Sequence, residues 1–121
     1  MQKIVILDDD EMFAALLAEA LREHYDVAVG YSGLKGIEMC LKGGVDAVIT
    51  DIGMPDLDGI EMLTEFKKDQ RLSSVPVVVV TATHFTRRNR TEMERFPQVR
   101  GVLSKDERIE TIVEAIKKAL R

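Results

Sequence analysis

The 121-residue sequence has one cysteine, no tryptophan, two tyrosines, four phenylalanines and three prolines. A single thiol, Cys40, excludes an intrachain disulfide and a cysteine-rich zinc site, and fits a reducing compartment. The shortage of aromatics leaves no platform on which nucleic-acid bases would stack. Positive charge is also in deficit: 17 Lys and Arg stand against 21 Asp and Glu, a formal charge of −4. Direct nucleic-acid binding is therefore not expected. No apolar run approaches the roughly 20 residues of a membrane span, so no membrane association is expected. The opening Met1-Gln2-Lys3 leads straight into Ile-Val-Ile-Leu and three aspartates, unlike a secretory leader. The expected location is the cytoplasm, and the length suits one domain over residues 1–121 with no output domain.

What is present alternates regularly. Short β-branched runs at Ile4–Leu7, Val27–Val29, Ala47–Thr50, Val77–Val80 and Val99–Leu103 read as five strands, the last broken by Gly101. Helical patterns separate them. Phe13, Leu16, Leu17, Ala20 and Leu21 fall on one helix face, with Asp10 as its N-cap. Ser32 caps a second helix bearing Leu34, Ile37 and Leu41, which Gly43-Gly44 ends. Ile60, Leu63 and Phe66 mark a third helix, and Phe96-Pro97 should end a fourth. Ile109, Ile112, Val113, Ile116 and Leu120 mark the last helix, which a Ser104–Glu107 capping box would start early. Five β-then-α units with apolar strands imply an α/β fold, a doubly wound, five-stranded parallel sheet, for which the flavodoxin-like order 2-1-3-4-5 is expected. Such sheets place their sites beyond the carboxyl ends of the strands, where the winding reverses.

Residues just after the strands therefore matter most. Asp8, Asp9 and Asp10 follow the first strand, Asp51 the third, Thr81 the fourth and Lys105 the fifth. With the first and third strands adjacent, Asp8, Asp9 and Asp51 converge, flanked by Thr81 and Lys105. At about 5 Å and an effective dielectric near 20, each carboxylate pair repels by about 3 kcal/mol. A hard divalent cation such as Mg²⁺ relieves this and leaves coordination positions for phosphate oxygens. The set suits phosphoryl transfer, with an Asp as nucleophile. Cys40 has no base beside it and reads as packing, as do the apolar stripes. Gly30-x-x-Gly33-x-x-Gly36 lacks dinucleotide-loop spacing.

These residues carry a family resemblance. Ile4-Val-Ile-Leu-Asp8-Asp9-Asp10, Val48-Ile-Thr-Asp51-Ile-Gly-Met-Pro55-Asp-Leu-Asp-Gly59, Val80-Thr81-Ala82 and Gly101-Val-Leu-Ser-Lys105 resemble, in order and spacing, the receiver domain of two-component response regulators, of the chemotaxis-Y type. The resemblance covers the whole chain. It implies Asp51 as phosphoacceptor, taking a phosphoryl group from a sensor histidine kinase or phosphotransfer protein. It implies Mg²⁺, with Mn²⁺ as substitute, held by Asp9 directly, Asp8 mostly through water, Asp51, and the Gly53 backbone carbonyl. Thr81, the Ala82 backbone N–H and Lys105 would contact the phosphoryl group, while Pro55 and Gly59 shape the loop. The output surface would be the face made by the fourth helix, fifth strand and fifth helix. The protein would be a monomer or a homodimer promoted by phosphorylation, with its downstream effector open. It would be no enzyme beyond self-phosphorylation from phosphodonors and autodephosphorylation.

Three departures alter expectations. The family usually carries Tyr or Phe three residues before the Lys; Val102 has no ring to swing between rotamers, so the output mechanism should differ. The residue after Lys105 is usually Pro, often in a cis bond; with Asp106 a trans bond and a shifted loop are expected. Residues 84–100 carry Arg87, Arg88, Arg90, Arg95 and Arg100 against Glu92 and Glu94, a basic patch on an acidic chain. A Mg²⁺-dependent phosphohydrolase of the haloacid-dehalogenase type, built on Asp8-x-Asp10, is the enzymatic alternative. It lacks a cap domain and a late acidic pair. A receiver that binds partners without phosphorylation is the other alternative, and the complete Asp–Thr–Lys set argues against it. A flavodoxin-type carrier would need a Ser/Thr/Gly loop where three acids would repel a flavin phosphate.

Overall fold

Runs of β-branched residues too short to be helices pair in parallel because each is followed by an amphipathic crossover. The computed structural model describes residues 1–82 and 90–121. Its strands are β1 (Lys3–Leu7), β2 (Asp26–Gly30), β3 (Ala47–Thr50), β4 (Val77–Thr81) and β5 (Val99–Ser104). The helices are α1 (Glu11–Leu21), α2 (Gly33–Leu41), α3 (Gly59–Lys68), the helical residues 90–94 as α4, and α5 (Ile109–Ala119). The five strands form one parallel sheet, as the alternation predicts, in the expected order β2-β1-β3-β4-β5.

Each central strand buries both faces. Val5, Leu7, Val48, Val77 and Val79 point to the layer holding Met62, Leu63, Phe66 and Met93. Ile4, Ile6, Ile49, Val78 and Val80 point to the layer holding Leu17, Leu21, Ile112 and Ile116. The winding direction reverses between β1 and β3, so both strands run their carboxyl ends into one crevice.

Helix contacts correct two expected stripes. On α1 the buried face is Ala14, Leu17, Ala18 and Leu21, while Leu16 is 54% exposed. On α2 it is Gly33, Gly36 and Cys40, while Leu34 is 57% exposed. On α2 close approach decides the face. A Cβ on Gly36 would lie 2.3 Å from Leu7 Cδ1, so this helix packs through a missing side chain rather than through leucines. The caps at Asp10 and Ser32 form as expected, each side chain accepting an N–H from the first turn. Gly43 and Gly44, at φ 87° and 76°, carry the chain out of α2.

The expected early start of the last helix does not occur. Ser104 pairs in register with Thr81 as the last residue of β5, and its hydroxyl accepts from the Asp106 N–H at 3.1 Å. The chain turns there, and α5 begins at Ile109 without a side-chain cap. The break expected at Gly101 is instead a bulge: Val77 pairs with Val99 and Val78 with Gly101, leaving Arg100 without a partner in the ladder. The Lys105–Asp106 peptide is trans. Among the described residues no helix is long and apolar enough to cross a membrane.

Candidate functional site

Strand register builds the site. Leu7 pairs with Thr50, so the next residues, Asp8 and Asp51, leave the sheet side by side. The Asp51 N–H donates to the Leu7 carbonyl at 2.9 Å, and the Asp8 N–H to Gly30 at 3.1 Å. On the other side Thr81 pairs with Ser104, and the Lys105 N–H donates to the Thr81 carbonyl at 2.8 Å. Backbone hydrogen bonds thus place four side chains from four strand ends in one crevice.

Asp51 is buried and its two oxygens are used differently. Oδ1 accepts from the Ile52 N–H at 2.7 Å and from the fully buried Thr81 hydroxyl. Oδ2 accepts from Lys105 Nζ at 3.0 Å. The same ammonium lies 2.7 Å from Asp8 Oδ2, bridging the two carboxylates. Asp8 Oδ1 accepts from the Asp10 N–H at 2.9 Å. Burial pushes the Asp8 carboxyl up to about 6, against the pull of Lys105 and the Asp10 N–H; the Asp51 charge adds to the rise. Burial alone would lower the Lys105 pKa, but the two carboxylates outweigh it and hold the ammonium above its usual value.

Asp9 is exposed, yet it belongs to the cluster. One oxygen each from Asp8, Asp9 and Asp51 lies within 4.8 Å of the others. Three hard anionic donors at this spacing suit a small divalent cation that keeps some of its waters.

The loop after β3 is tied down from both ends. The Gly59 N–H donates to the Ile52 carbonyl at 2.9 Å, and a Cβ at Gly59 would fall 2.7 Å from the Asp51 carbonyl oxygen. Only glycine lets α3 start this close to Asp51. Asp58 caps α3 in a reciprocal box with Glu61. Asp56 Oδ1 accepts from Gly33 and Leu57 N–H groups, anchoring the loop to the start of α2.

Asp8, Asp9, Asp51, Thr81 and Lys105, expected together, are together. Gly53 lies exposed in the loop after Asp51, and Ala82 follows Thr81 at the end of β4. Thr83, His84, Arg87 and Arg88 lie outside the described residues. A feature that the sequence reading missed is Phe13. Its spacing places it in a core stripe, yet its ring sits under Lys105, with Nζ 4.9 Å from the ring centroid. No sequence spacing signals a contact between the first turn of α1 and the end of β5.

The family model for the response regulator receiver domain matches residues 4–117. The chain belongs to this receiver family. Chemotaxis protein CheY-3 of Vibrio cholerae is 33% identical over 82 residues, 66% of this chain and 63% of that protein. Response regulator ArlR of Staphylococcus saprophyticus is 30% identical over 83 residues, 68% of this chain and 36% of that protein. A segment of 79 residues, 65% of this chain, is 28% identical to hybrid signal transduction histidine kinase D of Dictyostelium discoideum and covers 5% of it. The chain thus spans only part of these relatives. In structure, chemotaxis response regulator CheY4 of Vibrio cholerae superposes with a TM-score of 0.89 at 21% identity, covering 99% of both chains. Response regulator TrrA of Thermotoga maritima superposes with a TM-score of 0.82 at 25% identity, covering 99% of this receiver and 100% of that chain. The receiver is a two-component signalling domain, and its Asp8–Asp9–Asp51 pocket has the composition of a phosphoacceptor site.

Proposed function

We propose that Asp51 accepts a phosphoryl group from the phosphohistidine of a sensor histidine kinase or phosphotransfer protein. A carboxylate oxygen of Asp51 attacks phosphorus and forms an acyl phosphate. The P–N bond breaks, and its electron pair returns to the imidazole nitrogen. The observation that carries this reading is the convergence of three carboxylates within 4.8 Å, with Thr81 and Lys105 on separate oxygens of Asp51.

Asp8, Asp9, Asp51 and the Gly53 carbonyl would hold Mg²⁺, or Mn²⁺ in its place. The cation, when bound, offsets the negative charge of phosphoryl oxygens and carboxylates. TrrA was solved in complex with Mg²⁺ and BeF, which supports the same ligand chemistry for this chain. Lys105 orients the Asp51 carboxylate and then neutralises a phosphoryl oxygen. The Thr81 hydroxyl donates to another, joined by the Ala82 backbone N–H. Ile52 N–H holds Asp51 Oδ1 in place throughout.

In this reading residues 1–121 act as one receiver unit in the cytoplasm, monomeric or dimerising on phosphorylation. Beyond self-phosphorylation and autodephosphorylation it performs no chemistry. The output surface is the α4–β5–α5 face. Val102 is nearly buried there, and Arg90 Nη2 donates to its carbonyl at 3.3 Å. Thr81 would move toward the phosphoryl group, and this face would repack without a swinging ring at residue 102.

The test is to follow amide NMR shifts on adding Mg²⁺ with beryllofluoride or acetyl phosphate. Shifts should spread from the β3 and β4 ends to α4 and β5, and Asp51→Asn should abolish them. Identical responses in wild type and Asp51→Asn end the proposal. Turnover of small phosphoesters lost on Asp8→Asn but kept in Asp51→Asn would favour the phosphohydrolase instead.

A further inference from the structure

We propose that Phe13 is a positioning residue for Lys105, holding its ammonium between Asp8 and Asp51 through the face of the ring. The inference rests on the phosphoacceptor reading for its consequence, though not for its geometry.

An ammonium has three donors and a flexible four-carbon stem. Two directions from Lys105 Nζ are taken by Asp8 Oδ2 at 2.7 Å and Asp51 Oδ2 at 3.0 Å. Its ammonium nitrogen also lies over the Phe13 ring, 4.9 Å from the centroid, well inside cation–π range. The side chain is only 18% exposed, so water competes weakly for the ammonium and the ring quadrupole is not screened away.

Phe13 is itself fixed. Its backbone N–H donates to the Asp10 cap at 3.1 Å, which sets the first turn of α1. Its side chain packs against the layer of Leu17 and Ile112. A rigid ring is therefore presented to a mobile cation.

The ring differs from the two carboxylates in a way that bears on phosphorylation. Asp8 and Asp51 are expected to turn their oxygens to a cation and a phosphoryl group, and so to release Lys105. Phe13 has no such competing partner. It keeps Nζ at the crevice while the carboxylates change partners. It also adds attraction without adding negative charge beside an incoming anion. With leucine there, the stem would keep its apolar neighbour, but the ammonium would lose one of the surfaces that hold it over Asp51.

Two measurements test this on the whole chain. The first is the ring-current shift of the Lys105 Cε protons. They should resonate upfield in wild type and in Phe13→Tyr, and near the ordinary lysine position in Phe13→Leu. The second is the rate of phosphorylation by acetyl phosphate with Mg²⁺. It should fall about threefold in Phe13→Leu, the size expected of one cation–π contact, and recover in Phe13→Tyr. In a Lys105→Ala background, Phe13→Leu should have no further effect. An unchanged Lys105 shift in Phe13→Leu overturns the inference, as does an equal rate loss with Lys105 already removed. Failure of wild type to be phosphorylated would strike the phosphoacceptor reading alone, because the proton shift still decides whether the ring holds the lysine.

Discussion

Asp8→Asn should make the cation-free protein more stable while removing its response to magnesium. Asp8 is 3% exposed and its carboxyl sits at about 6, against 3.8 in the unfolded chain. At about 1.4 kcal/mol per unit, ionised Asp8 costs the fold about 3 kcal/mol once the pH is well above 6. Between about pH 4 and pH 6 the native state keeps a proton that the unfolded chain has released. Stability therefore falls as pH rises through that window and is flat above it. Asparagine abolishes this slope. It can still accept the Asp10 N–H through its amide oxygen, but it gives up the 2.7 Å contact with Lys105. The raised pKa already contains that contact, so the gain stays at about 3 kcal/mol at pH 7.5, a Tm rise of about 10 °C for a domain of this size. The advantage should vanish near pH 4. Millimolar Mg²⁺ should raise the Tm of wild type and leave that of the variant unchanged, because ligands stabilise only the state that binds them. Thermal melts across pH, with and without Mg²⁺, read all of this. A variant less stable at pH 7.5, or a Tm difference independent of pH, would refute the reasoning.

Other perturbations follow from the same geometry. Lys105→Met leaves Asp8 and Asp51 facing each other without a cation and should cost about 2–4 kcal/mol by urea denaturation in metal-free buffer, with Mg²⁺ restoring part of it. Gly36→Ala drives a methyl into Leu7 and should lower the urea midpoint by an equivalent of about 1–3 kcal/mol, with no change in m-value. Gln98→Ala should destabilise by about 2 kcal/mol, since its buried amide donates to the Leu72 and Val75 carbonyls at 3.2 and 3.1 Å and alanine can replace neither bond.

The strand ends were legible because the signal is local. A β-branched run followed at once by Asp, Thr or Lys says where the side chain leaves the sheet, and parallel order does the rest. Helix faces were less legible. Leu16 and Leu34 have the right spacing and the wrong side, because α1 and α2 pack through Ala14, Ala18, Gly33 and Gly36, whose smallness permits a closer approach. Hydrophobicity alone does not register that. Ser104 and Glu107 have capping-box spacing, yet Ser104 is held in β5 by its pairing with Thr81, a long-range contact that outranks the local motif. The double use of Lys105, on Asp8 as well as Asp51, and its seat over Phe13 are also tertiary.

The central claim is a covalent one, so the decisive measurement is chemical. Incubation with acetyl phosphate and Mg²⁺, followed by borohydride reduction and peptide mass spectrometry, converts an aspartyl phosphate to homoserine at the modified residue. The account predicts homoserine at residue 51 alone, dependent on Mg²⁺ and absent from Asp51→Asn. Reduction at Asp8 or Asp9 instead, or the absence of any modified aspartate in a folded, magnesium-binding protein, would contradict it.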